Sequence, residues 1–110
     1  MTIRDSKQSN KVNIMIENPR GTKIWYQNGL KHRDNDLPAV EFFNGYKAWY
    51  LNGERHRDND LPAIVYFNGD KEWFQNGNLH RDNDLPAVVC ENGDKEWYKN
   101  GIEYFPNQSV

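Results

Sequence analysis

The chain has 110 residues, a net charge of −2, a hydrophobic share of only 36% and a mean hydropathy of −1.04. It contains no apolar run near the roughly 18 residues that a membrane-spanning helix needs, and its acidic balance argues against a broad field for nucleic acid or anionic lipid. Aromatic residues nevertheless reach 14%, too many for a disordered chain, so the apolar surface is concentrated in a few large side chains.

Residues 1–11 are polar and mixed in charge, without the apolar stretch of a secretion signal, and read as a tail. Residues 12–16, Val-Asn-Ile-Met-Ile, read as a first strand that caps the fold, and 1–20 form the N-terminal unit. Strict repetition follows. Gly-x-Lys-x-Trp-[Tyr/Phe]-x-Asn-Gly starts at Gly21, Gly45, Gly69 and Gly93, and His-Arg-Asp-Asn-Asp-Leu-Pro-Ala spans 32–39, 56–63 and 80–87. The chain is thus a single domain of three full repeats (21–44, 45–68, 69–92) and a partial fourth (93–110) that caps the C-terminal end.

Each repeat reads as two short strands. One holds Lys-x-Trp-Tyr and the other follows Pro-Ala, with Asn-Gly marking every turn as type I′ because both residues tolerate positive φ. Seven Asn-Gly pairs, beginning at Asn28, Asn44, Asn52, Asn68, Asn76, Asn92 and Asn100, predict an antiparallel meander of seven to eight strands. The fold class is all-β, an antiparallel meander of 24-residue β-hairpin repeats. Strand alternation puts Trp25, Trp49, Trp73 and Trp97 on one face and Tyr26, Tyr50, Phe74 and Tyr98 on the other.

The repeated polar residues are expected to be structural first. Asp-Asn-Asp forms turns through side-chain bonds to nearby backbone N–H groups. Pro38, Pro62 and Pro86 deliver the chain into the next strand. His32, His56 and His80, with Arg33, Arg57 and Arg81, can bond to loop carboxylates and carbonyls and so form a polar ladder. A zinc ion cannot bridge two of these histidines, which lie about 9.6 Å apart if repeats are two strands apart. No metal and no cofactor are expected. The His-Arg-Asp triplet has none of the other parts of a kinase site and recurs as architecture. The single cysteine, Cys90, cannot form an internal disulfide, which fits a reducing cytoplasm; it occupies the packed position of Phe42 and Tyr66 and behaves as a small hydrophobe.

Residues 21–103, with Lys-Ile-Trp-Tyr-Gln-Asn-Gly-Leu-Lys-His from Lys23 and its copies, resemble MORN-type repeats. The likeness is nearer to a variant with Trp-Tyr-x-Asn-Gly-x-x-His-Arg-Asp and Pro-Ala, seen in viral, phage and bacterial proteins. The resemblance implies an extended twisted sheet that serves as an interaction module, with lipid-headgroup binding attributed to some members. Here Arg follows His where such members have Gly.

Repetition brings like residues to equal spacings, whereas catalysis needs unlike residues to converge. The leading expectation is therefore a non-enzymatic module for protein–protein contact or scaffolding, with a protein partner or a second copy as its ligand. The candidate binding row is Arg33, Arg57 and Arg81 with Tyr26, Tyr50, Phe74 and Tyr98, while the tryptophans, histidines and prolines form the structural core of the repeat. A second expectation is a viral or phage protein acting inside a host, which sequesters a small anionic ligand such as a nucleotide or inhibits a defence protein. Arg beside aromatic rings offers pairing and stacking to such a ligand. A weaker third is lipid-headgroup binding; a nucleic acid polymer is not an expected partner, and a membrane is disfavoured.

Overall fold

The computed structural model describes residues 11–106. The tail at 1–10 and the last four residues of the partial fourth repeat lie outside the described residues. Within them the protein is all-β and contains no helix. The Cα radius of gyration is 17.1 Å, against about 13 Å for a compact domain of this size, as an elongated sheet requires.

The described residues form fourteen strands: β1 (Asn13–Glu17), β2 (Lys23–Gln27), β3 (Leu30–Lys31), β4 (Val40–Glu41), β5 (Lys47–Ala48), β6 (Tyr50–Leu51), β7 (Glu54–Arg55), β8 (Ile64–Val65), β9 (Lys71–Glu72), β10 (Phe74–Gln75), β11 (Asn78–Leu79), β12 (Val88–Val89), β13 (Lys95–Lys99) and β14 (Ile102–Tyr104). All pairs are antiparallel, and the main sheet runs β1-β2-β4-β5-β8-β9-β12-β13-β14. The expected seven to eight strands undercount this meander. The interior Trp strands divide at the tryptophan. Lys47–Ala48 pairs with strands on both sides, whereas Tyr50–Leu51 pairs only with Glu54–Arg55. At Trp49 the chain changes partners: its N–H donates to the Ala63 carbonyl (2.7 Å) and its carbonyl accepts from His56 N–H (3.2 Å). The return strands are two residues long, too short to show any period.

The seven Asn-Gly pairs make two kinds of turn, which corrects the uniform type I′ expectation. Asn28, Asn52, Asn76 and Asn100 have positive φ beside their glycines, as type I′ demands. At 44–45, 68–69 and 92–93 only the glycine does. Gly45 N–H donates to the Phe42 carbonyl and Phe42 N–H to the Tyr46 carbonyl, which is a type I turn closed by a glycine bulge. Asn44 here uses its side chain to accept from Tyr46 N–H (3.1 Å). The Asp-Asn-Asp loops supply the remaining type I′ bends. Asn35 and Asp36 both have positive φ (65° and 56°), and Leu37 N–H points to the Asp34 carbonyl (3.4 Å); the pattern recurs at Asn59–Asp60 and Asn83–Asp84.

Register sets the core. Ile24, Val40, Ala48, Ile64, Glu72, Val88 and Glu96 follow one another across the main sheet on one face. Val40, Ala48 and Ile64 are buried there with Trp49, Ala63 and Phe74, and Tyr50 and Leu79 from the small hairpins pack against them. Ile64 is the largest side chain with almost no exposure. Its burial stabilises the fold by about 1.5–3 kcal/mol.

Candidate functional site

The Asp-Asn-Asp loops line one long edge of the sheet, and their residues are tied to the neighbouring repeat. Arg57 shows the arrangement. Its guanidinium lies 3.7 Å from the centre of the Trp49 ring. Nη1 donates to the Pro62 carbonyl (3.1 Å), while Nε and Nη2 grip both oxygens of Asp36 (2.9 and 3.1 Å). Arg81 repeats this on Trp73 (3.8 Å), Pro86 (3.0 Å) and Asp60 (2.8 and 3.3 Å). Arg33 stacks on Trp25 and bonds Pro38, but its carboxylate contact is with Glu41 at 3.3 Å. No acidic residue stands 21 positions before Arg33, because Val12 occupies the place that Asp36 and Asp60 hold for the later arginines.

The tryptophans are fixed from the other side too. The indole N–H groups of Trp49, Trp73 and Trp97 donate to the carbonyls of Asp36, Asp60 and Asp84 (2.9–3.0 Å). Trp49 and Trp73 are buried, whereas Trp25 and Trp97 at the two ends are half-buried.

The histidines link loop to turn. Nδ1 of His32, His56 and His80 accepts from the backbone N–H of Asn52, Asn76 and Asn100, each at 3.0 Å. That bond leaves the ring proton on Nε2, from which it donates to Asp34, Asp58 and Asp82 at 2.8 Å. The two carboxylates of each loop thus have different work: the first takes its own histidine, while the second takes the arginine of the next loop at Asp36 and Asp60 and the Tyr104 hydroxyl (3.2 Å) at Asp84. The His32 bond holds Asp34 below the ordinary carboxylate range, and the Arg57 and Arg81 forks do the same for Asp36 and Asp60.

Two small grooves of about 220 and 200 Å³ lie between successive loops, and a third of about 190 Å³ lies between the first loop and the β1–β2 pair. Arginine, aspartate and asparagine line them with a tryptophan at the base. The Arg57 and Arg81 guanidinium groups already face carboxylates, carbonyls and rings, so they offer an anion little. Among the described residues no group of three or more His, Cys, Asp and Glu side chains gathers as a metal would need.

The expected aromatic row divides. Phe74 is 6% exposed and belongs to the core, which leaves no ring face for a ligand. Tyr26, Tyr50 and Tyr98 are half-buried. Tyr50 accepts from Arg55 Nε (3.3 Å), and Tyr98 donates to Glu96 (3.3 Å). On the same face Tyr66 donates to Glu72 (3.2 Å); burial, then the Glu72 charge, pushes its hydroxyl up to about 12. Burial likewise raises the Glu72 carboxyl. Desolvation and the Asp70 and Asp94 charges push the Cys90 thiol up, which keeps it protonated and a poor nucleophile. Pro38 and the alanine after each repeated proline are buried, while Pro62 and Pro86 are half-buried.

The free apolar surface lies elsewhere. Phe43 and Phe67, at the tips of the longer hairpins, are 80% and 71% exposed. Strand β1 is exposed at every position, including Ile14, Met15 and Ile16. Alternation alone does not say which sheet face Phe43 and Phe67 share with the core, and no feature of the sequence says that a strand is left uncovered. Among the described residues no helix is long and apolar enough to cross a membrane. Compared with family models, curated proteins and solved structures, the chain matches none.

Proposed function

We propose that the chain is a non-enzymatic interaction module built from 24-residue units. Each unit is one long and one short hairpin, akin to the MORN-type variant. The observation that carries the reading is the contrast between a closed polar ladder and open apolar groups. The residues best suited to chemistry are already bonded: Arg57 and Arg81 to the aspartates of the preceding loop, and each His to its own loop's Asp and to a backbone N–H of the next repeat. Phe43 and Phe67 recur 24 residues apart and face solvent, although a large exposed ring gains nothing in a protein that works alone. Aromatic side chains are enriched where proteins meet. A protein partner therefore fits better than an anion at Arg33, Arg57 and Arg81.

The test is a quantitative capture from cells of the source with wild-type protein and with F43S/F67S. A set of bound proteins lost in the variant supports the reading. Equal recovery by both forms contradicts it.

A further inference from the structure

We infer that the two ends of the sheet are complementary and that copies of this chain join head to tail, β1 of one copy adding to the open edge of β13 of another. Beyond the interaction-module reading, this adds a second surface, formed by β1 and β13, whose occupant is a second copy.

Repeat position carries the argument. In register, Ile16 and Glu17 of β1 stand against Ile24 and Lys23, as Val40 and Glu41 of β4 stand against Ala48 and Lys47. So β1 occupies the position of β4, one repeat earlier. Strand β4 has a neighbour on each side, β2 and β5, whereas among the described residues β1 pairs with β2 alone. The missing neighbour shows in exposure: Ala39 and Val40 are 0% and 6% exposed, while their counterparts Met15 and Ile16 are 45% and 55% exposed.

The opposite end lacks the opposite half. Strands β5 and β9 pair on both sides through Lys47–Ala48 and Lys71–Glu72. In β13, Lys95 and Glu96 pair with β12, and among the described residues they have no partner on the other edge. Inside the sheet the Trp N–H donates to the alanine carbonyl of the following strand, as Trp73 does to Ala87 (2.8 Å). Trp97 is instead paired with Tyr104 of β14, so the open part of this edge is Lys95 and Glu96.

Continuing the interior register by one repeat puts Lys95 opposite Glu17 of the second copy and Glu96 opposite Ile16. The Lys95–Glu17 pair reproduces the Lys23–Glu41 pair within the sheet. Opposite charges across antiparallel strands favour that register. Docking would cover Met15, Ile16 and the half-buried Trp97 together. Because the joined surfaces differ, the contact does not close on itself and continues into a series.

Sedimentation velocity of the full chain over a wide concentration range is the test. Wild type is expected to form a series beyond the dimer. I16E, which sets a carboxylate against Glu96, is expected to weaken association on the order of tenfold or more, while I16V retains it. E17K and K95E are each expected to weaken it a few-fold, about two- to fivefold, and E17K/K95E to recover it. I16E added in excess to wild type is expected to shorten the series, because it keeps the β13 edge but not the β1 edge. A wild-type species that stops at a dimer, and that I16E does not join, overturns head-to-tail pairing in favour of β1 meeting β1. A monomer at every concentration overturns self-association altogether, and leaves F43S/F67S capture to decide the broader reading.

Discussion

Arg57 is the most heavily committed side chain on the loop edge, so R57A is the perturbation with the most to lose. Three contacts disappear. The stack on Trp49, at 3.7 Å with Trp49 buried, is worth about 1 kcal/mol. The bond to the Pro62 carbonyl contributes about 1 kcal/mol. The fork on Asp36 is discounted because Asp36 is half exposed, and contributes about 0.5 kcal/mol. The expected loss is about 2–3 kcal/mol, read from urea unfolding at neutral pH. R57K keeps the charge but not the planar fork, and is expected to lose about 1–2 kcal/mol. D36N isolates the ion pair, because asparagine tolerates the positive φ at that position. A double-mutant cycle of R57A with D36N is expected to show a coupling of about 0.5–1 kcal/mol. R33A, which lacks the Asp fork, is expected to cost less than R57A. An R57A stability within about 0.5 kcal/mol of wild type, or a zero coupling with D36N, would refute the ladder as a structural device.

H56F removes the acceptor for Asn76 N–H and the donor to Asp58, and is expected to cost about 1–2 kcal/mol in the same unfolding assay. In acid, Asp34, Asp36 and Asp60 hold folded-state values below their ordinary 3.8. Their contribution is therefore present above about pH 4 and is lost as pH falls through the depressed values; thermal melts are expected to show that acid loss in wild type and a shallower one in D36N/D60N. Gly69 has φ +98°, and a Cβ there would lie 2.8 Å from Glu91 Oε2, whereas at Gly45, with φ +102°, a Cβ meets nothing within 4 Å. Both G69A and G45A are expected to destabilise by about 1 kcal/mol or more through backbone strain, G69A the more, since it must also displace the Glu91 side chain.

The all-β antiparallel meander and the terminal strand β1 were legible in the sequence because each rests on local alternation and on turn residues. The choice between two turn types at Asn-Gly was not. It depends on how many residues the flanking ladder leaves for the loop, and Phe42 and Phe43 precede Asn44 with no local sign that they belong to the turn. The short return strands such as Glu54–Arg55 are too brief to show a period. The division of labour between Asp34 and Asp36 was hidden because it is set by a neighbour 21 residues away, which only the stacking brings near. Burial of Phe74 beside exposure of Phe43 likewise follows from how the small hairpins pack against the main sheet, and composition says nothing of that.

Hydrogen exchange followed residue by residue at low and at high protein concentration tests the central claim most directly. Head-to-tail joining predicts that the β1 amides and the Lys95 backbone amide gain protection together as concentration rises, while the amides at the Phe43 and Phe67 tips do not change. Exchange at β1 and Lys95 that is the same at both concentrations, or protection that grows only around Phe43 and Phe67, would contradict it.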